Sequence, residues 1–164
     1  MHTCLRVKLP VIKSVLPLMA PILLTVLLTC TQGESGGFRG IAWGTNIREL
    51  SGMSLLAEDA ALKFYERKDD HAKIGDVDIE RVVYGFYDDQ FYSATLYFQS
   101  FPSFVQVKRV FLDKYGNPTS YNESSNKYFW GKDEVSVFLS FNTESDEGRV
   151  FYSFNPIGSK VHED

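Results

Sequence analysis

The chain has 164 residues, which is enough for one domain with a hydrophobic core. Its formal net charge is −4 at pH 7, and its lysines and arginines form no cluster along the sequence. An acidic chain of this kind is a poor partner for nucleic acid or for anionic lipid headgroups, so we predict that it binds neither.

The first 29 residues have the composition of an export signal. Three basic residues and no acidic residue precede an apolar run over residues 14–29. The run is shorter than the roughly 20 residues that span a bilayer, and two prolines interrupt it. The chain turns polar directly after it, which disfavours the alternative of a buried N-terminal helix. We therefore predict a signal peptide over residues 1–29.

The signal ends with Leu27-Leu28-Thr29-Cys30, which resembles the lipobox of bacterial lipoproteins. The resemblance implies cleavage before Cys30 and attachment of lipid to it, although Thr29 stands where Gly, Ala or Ser is usual. A lipidated chain would be membrane-anchored, facing the periplasm, and residues 30–37 would be its lipidated N-terminus and flexible tether. The alternative is a soluble periplasmic or secreted protein that is cut nearby, with Cys30 incidental.

Removal of residues 1–29 changes the net charge and the number of cysteines. The remainder has 14 of the 17 Lys and Arg against 21 Asp and Glu, a formal charge of −7. Cys4 leaves with the signal, so Cys30 is the one cysteine left and no internal disulfide can form.

The segment from Ser103 to Pro118 has a complete helix signature. Ser103 and Gln106 have the spacing of a capping box, and Gly116 is suited to the position after the last turn. Four apolar residues recur at helical spacing and predict one buried stripe, namely Phe104, Val107, Phe111 and Tyr115.

Most of the remaining chain is predicted to form strands. A short helix is predicted over residues 46–52, and the other segments are rich in residues that favour strands. These predicted strands are residues 53–57, 61–67, 78–87, 91–99, 127–130, 135–141 and 149–155. The prediction is an α+β fold: an antiparallel sheet covered on one face by helices, in the order helix, about three strands, helix, about three strands. Residues 38–155 form the single domain, and residues 156–164 form a frayed tail.

Catalytic and metal-binding patterns are not recognisable in the sequence. His71 has no second histidine or cysteine near it. Asp76, Asp78 and Glu80 alternate, but Arg81 and Tyr87 occupy the positions at which a calcium-binding loop needs Gly and Glu. We predict no catalytic residue, no metal site and no cofactor, and we interpret the three acidic residues as a solvated strand edge.

Aromatic residues suggest a binding surface. They fall on both predicted faces of residues 91–98 and of residues 151–154, although a sheet covered on one face should have a polar second face. An aromatic excess there is typical of a contact surface for a partner. The candidate residues are Phe91, Tyr97 and Phe151, and the alternative is that they are scattered aromatics tolerated in water.

Four segments of the chain resemble a group of uncharacterised small envelope proteins of Gram-negative bacteria. They are FRGIAWGTNIRELSGM, YGFYDDQFYSATLYF, FVQVKRVFLDKYGNP and KYFWGKDEVSVFLSFN. The resemblance implies a shared fold and no known activity. More distantly, a helix opened by the pair Gly44-Thr45 and followed by a sheet resembles the small lipoproteins of outer-membrane protein assembly and the fold of the β-lactamase inhibitor protein, an analogy of architecture only.

The function that follows is a non-catalytic, envelope-anchored binding or assembly module. Its partners would be the membrane, through the N-terminal lipid, and an envelope protein. The alternatives are an enzyme of unrecognised type, which needs ionisable groups clustered in a pocket, and a small-molecule or lipid carrier, which needs a large cavity. The oligomeric state and the choice between inner and outer membrane are left open.

Overall fold

A computed structural model describes residues 36–132 and 134–162. The predicted signal peptide, Cys30 and most of the tether lie outside the described residues. The strands are β1 (Gly37–Phe38), β2 (Ile41–Ala42), β3 (Met53–Asp59), β4 (Leu62–Arg67), β5 (Ala72–Ile74), β6 (Val77–Ile79), β7 (Arg81–Tyr87), β8 (Gln90–Gln99), β9 (Ser120–Asn122), β10 (Lys127–Lys132), β11 (Val135–Asn142) and β12 (Glu147–Phe154). The helices are α1 (Phe101–Tyr115) and α2 (Asn155–Gly158), with 3-10 turns at Ile47–Glu49 and Lys160–His162.

One antiparallel sheet of eight strands dominates the domain. Its order is β3-β4-β7-β8-β12-β11-β10-β9, and β1–β2 and β5–β6 are separate small hairpins. The chain is therefore mostly β, and the predicted α+β class is wrong. Within the described ranges only α1 has seven or more residues, so the predicted order of helix, three strands, helix, three strands is wrong as well.

The predicted helix over residues 46–52 is reduced to a single 3-10 turn. Asn46 does cap it, accepting a hydrogen bond from the backbone N–H of Arg48. The backbone on either side is held by the start of β8, since Gly44 N–H donates to the carbonyl of Phe91 and Ile47 N–H donates to that of Asp89. Pairing with β8 fixes these residues in a non-helical path, which overrides their local capping signal.

Helix α1 covers one face of the sheet, which we call the core face. The predicted apolar stripe is confirmed: Phe104, Val107 and Phe111 are buried, and Tyr115 is packed against the core. Phe104 lies against Phe141, with ring centroids 5.3 Å apart. The hairpin β1–β2 covers another part of the same face. It places the ring centroid of Phe38 5.1 Å from that of Tyr152.

The helix α1 begins three residues earlier than the capping box predicted. Ser100 is its N-cap and accepts a hydrogen bond from the backbone N–H of Ser103, while Pro102 lies in the first turn, where a missing N–H has no cost. Gly116 ends the helix as predicted, with φ 75° and its N–H bonded to the carbonyl of Leu112.

The segment after β12 is a folded element where the sequence predicted a frayed tail. Asn155–Gly158 forms the short helix α2, and Ile157 is only 6% exposed. Gly158 lies against Ser153 and Tyr92 on the side of the sheet opposite α1. The end of the described chain therefore covers part of the second face.

Candidate functional site on the open face of the sheet

The face of the sheet that points away from α1 is called the open face. Side chains alternate between the two faces along a strand, and residues paired across neighbouring strands share a face. On the open face of β10, β11, β12, β8 and β7, the register therefore assembles three parallel rows. The aromatic row is Phe129, Phe138, Phe151, Thr95 and Val83. The basic row is Lys127, Ser140, Arg149, Tyr97 and Arg81. The small row is Gly131, Ser136, Ser153, Ser93 and Gly85.

The aromatic row brings three phenylalanines together from three adjacent strands. Phe129 pairs with Phe138, and Phe138 pairs with Phe151. All three are partly exposed, whereas the large side chains of the core face are buried. They form one side of a groove of about 470 Å³, whose other lining residues are Ser136, Ser153, Asn155, Gly158 and Ser159. An apolar groove of this kind suits side chains of a partner.

Small residues and α2 close one end of the groove. Gly158 approaches Ser153 so closely that a Cβ on the glycine would collide with the serine hydroxyl. Gly85, at the far end of the small row, likewise leaves space that Ser93 and Tyr92 fill. Burial raises the pKa of the Tyr92 phenol, which lies under this part of the face. The small row is thus filled from within the chain, and the aromatic row remains accessible.

The basic row lies beside the aromatic row and contains three cations. Arg149 Nε donates to Ser140 Oγ at 3.1 Å, and Arg81 lies over Tyr97 with its Cζ 4.3 Å from the ring centroid. Arg81 Nε is also 4.0 Å from a carboxylate oxygen of Glu66. Consecutive cations are two strands apart, so their backbones are separated by about 10 Å.

Shallow concavities connect the basic row to the groove. One of about 450 Å³ is lined by Lys127, Ser140 and Arg149, and also by Glu144 and Glu147. A smaller one of about 180 Å³ shares Lys127 with it and shares Phe129 and Phe138 with the groove. The two concavities and the groove are therefore neighbours on the open face, polar near the cations and apolar near α2.

The structure places two of the three predicted surface residues on the open face and the third in the core. Tyr97 and Phe151 lie on the open face, in the basic and aromatic rows. Phe91 does not: it is 0% exposed and stacks on Trp43, with ring centroids 4.7 Å apart. The cause is a β-bulge, because the register shifts between Gly85 and Phe86. The extra residue turns Phe91 toward the core and Tyr92 toward the open face, opposite to the predicted alternation.

Sequence reasoning missed the remaining members of the site. Phe138 interrupts an otherwise regular alternation of apolar and polar residues in β11, and that interruption is the signal that could have placed it on the open face. Lys127, Arg149 and Arg81 are far apart in the chain and form no cluster along it. They become neighbours only through the order and register of the strands.

A second group of ionisable residues lies on the core side. Arg39 Nη2 donates to Asp70 Oδ1 at 2.6 Å, and the Tyr84 hydroxyl donates to Asp70 Oδ2 at 2.5 Å. Burial, followed by the hydrogen bond to Asp70, raises the pKa of Tyr84. Since Arg39 lies between β1 and β2, this group fastens the first hairpin to the sheet. His71 in the same loop is exposed and contributes its backbone carbonyl to Arg39.

Within residues 36–132 and 134–162, no three His, Cys, Asp or Glu side chains are grouped so that they could hold a metal ion. None of the helices in this part of the chain is long and apolar enough to span a membrane.

No family model, curated protein or solved structure matches the chain.

Proposed function

We propose that the protein is a non-catalytic binding or assembly module that uses the open face of its sheet to hold an envelope protein. The observation behind this proposal is the aromatic row, in which Phe129, Phe138 and Phe151 are adjacent and partly exposed on three strands. Neighbouring aromatic side chains beside a groove are the usual anchors of protein interfaces, because they bury a large apolar area with little loss of side-chain entropy.

The anchoring part of the proposal rests on the N-terminal sequence. Cleavage before Cys30 and lipidation of that residue would hold the domain at a membrane and leave its open face free to meet a partner. The intact mass of the protein recovered from the envelope of a Gram-negative host tests this part. We expect the mass of residues 30–164 plus a diacylglycerol and an acyl chain. A bare polypeptide that begins elsewhere would contradict the anchor and leave the binding proposal standing.

Site-specific crosslinking tests the binding part. A photoreactive amino acid is placed at Phe151 or Tyr97 on the open face, and at Val105 on α1 as the control. Val105 is 45% exposed and lies on the opposite side of the sheet. We expect a discrete crosslinked protein in the envelope from Phe151 and Tyr97, and none from Val105. The proposal fails if the open face gives no crosslink, or if all three positions give the same one.

Substitution supplies an independent test of the same face. Phe151→Ala and Tyr97→Ala should reduce capture of the crosslinked partner severalfold, because they remove anchor area at the centre of the face. The unfolding transition should change little, since both side chains are partly exposed. If both substitutions unfold the domain, the residues are core residues and the surface proposal is wrong.

A further inference from the structure

We infer that the open face recognises an extended polypeptide segment in which an acidic residue and an apolar residue stand two positions apart. This inference rests on the proposed function and specifies the chemistry of its partner. The acidic side chain would meet the basic row at Arg149 and Lys127, and the apolar side chain would pack against Phe138 and Phe151, which line the groove.

Two cations of the basic row, Lys127 and Arg149, are available for a partner. No described carboxylate lies within 4 Å of the cationic groups of Lys127 and Arg149. The Arg149 guanidinium is oriented by the neutral hydroxyl of Ser140, and Glu147, two residues away on the same strand, is not within ion-pair distance of it. A chain with a formal net charge of −4 therefore presents Lys127 and Arg149 next to three partly exposed phenylalanines. Such a pattern favours partners of complementary charge.

The distance between the rows matches the repeat of an extended chain. The basic and aromatic rows are separated by two residues on each strand, as Arg149 and Phe151 are on β12. Two residues of a strand advance about 6.7 Å and return to the same face. A bound extended segment has this same spacing between residues i and i+2, so one acidic and one apolar side chain would face both rows together.

The distribution of acidic residues favours a peptide over a membrane surface. Glu144 and Glu147 line the same concavity as Arg149, and Glu66 lies beside Arg81. A continuous layer of anionic headgroups would meet these carboxylates and be repelled by them. A single carboxylate on a peptide can contact a cation between them.

A random dodecapeptide library, displayed on phage and selected against the whole chain, tests the inference. We expect enrichment of peptides with Asp or Glu two positions before or after an aromatic or aliphatic residue. Selection against Arg149→Glu should lose this pattern. Arg109→Glu is the matched control, because Arg109 is an exposed arginine on α1, on the opposite side of the sheet. It should retain the pattern. Circular dichroism establishes that both variants are folded.

Affinities of one enriched peptide, measured by fluorescence anisotropy, give the quantitative result. We expect Arg149→Glu to weaken binding at least tenfold and Arg109→Glu to weaken it less than twofold. Absence of any enrichment, enrichment without acidic residues, or equal affinities for the two variants would overturn the inference. Arg149-dependent binding to phosphatidylglycerol vesicles would also overturn the inference, because the basic row would then bind lipid headgroups.

The crosslinking experiment separates this inference from the proposed function. If Phe151 still crosslinks a partner when Arg149 is replaced by Glu, the open face is a binding surface and the acidic specificity is wrong. If the wild-type open face crosslinks nothing, the proposed function itself fails.

Discussion

Tyr84 is the residue whose environment makes the clearest prediction about pH. Its hydroxyl is buried and donates to Asp70, and both effects raise its pKa above the ordinary value of about 10. Below about pH 10 the tyrosine is protonated in the folded and unfolded states alike, so its contribution to stability is complete. Above that pH the unfolded chain loses the proton while the folded chain retains it, and stability falls as pH rises.

We therefore expect the free energy of unfolding to decline above about pH 10, with up to about 1.4 kcal/mol per pH unit coming from Tyr84. Urea denaturation at several alkaline pH values measures the slope. Tyr84→Phe removes the titrating group and should make the decline shallower. Tyr121→Phe is the control, because Tyr121 is 64% exposed. Equal slopes for the two variants would contradict the assignment.

At the scale of an element, the start of α1 combines a favourable cap with an unfavourable backbone conformation. Ser100 accepts a hydrogen bond from Ser103 N–H, yet its φ is 77°, a region that glycine adopts more readily than serine. Ser100→Ala loses the cap and retains the unfavourable conformation, so it should destabilise the domain by about 1–2 kcal/mol. Ser100→Gly loses the cap but relieves the backbone, so it should cost less.

Urea denaturation of the two variants measures this difference. A glycine variant less stable than the alanine variant would show that the positive φ of Ser100 is not a significant cost. Either variant stays informative, because both lack the same side-chain hydrogen bond and differ only in the methyl group.

For the whole molecule, the strand order predicts a gradient of local stability. β8 and β12 lie in the middle of the sheet and contribute Phe98 and Val150, which are both 0% exposed. β3 and β9 are its edges, and every residue of β9 is exposed. Backbone groups at edges and under little apolar cover open by local fluctuations, whereas central strands open only with the whole sheet.

Native-state hydrogen exchange followed by NMR tests this gradient. Amides of β8 and β12 should exchange most slowly, with free energies of opening close to that of global unfolding. Amides of β3 and β9 should exchange fastest among the strands. Protection in β3 equal to that in β12 would indicate that the edge is covered, which would point to association through that strand.

Local patterns were sufficient where the structure depends on neighbours along the chain. The stripe of α1 and its end at Gly116 follow from helical spacing and from the glycine's tolerance of positive φ, and both are confirmed. The pair β7–β8 was predicted from its content of strand-favouring residues and β11 from its apolar alternation, whereas β9 was missed. The export signal, the lipid on Cys30 and the resemblance to envelope proteins also come from the sequence and stay predictions.

The sequence by itself therefore determined where α1 and the longer strands lie, because the spacing of apolar residues along each element depends only on neighbouring residues in the chain. Only the tertiary structure decided the mostly β class, since the strands join in one eight-stranded sheet and residues 44–47 bond to residues 89–91 instead of extending a helix. It also decided that Phe91 is core, through the bulge beside Gly85. The basic and aromatic rows exist only because strand order and register, which are non-local, bring distant residues together.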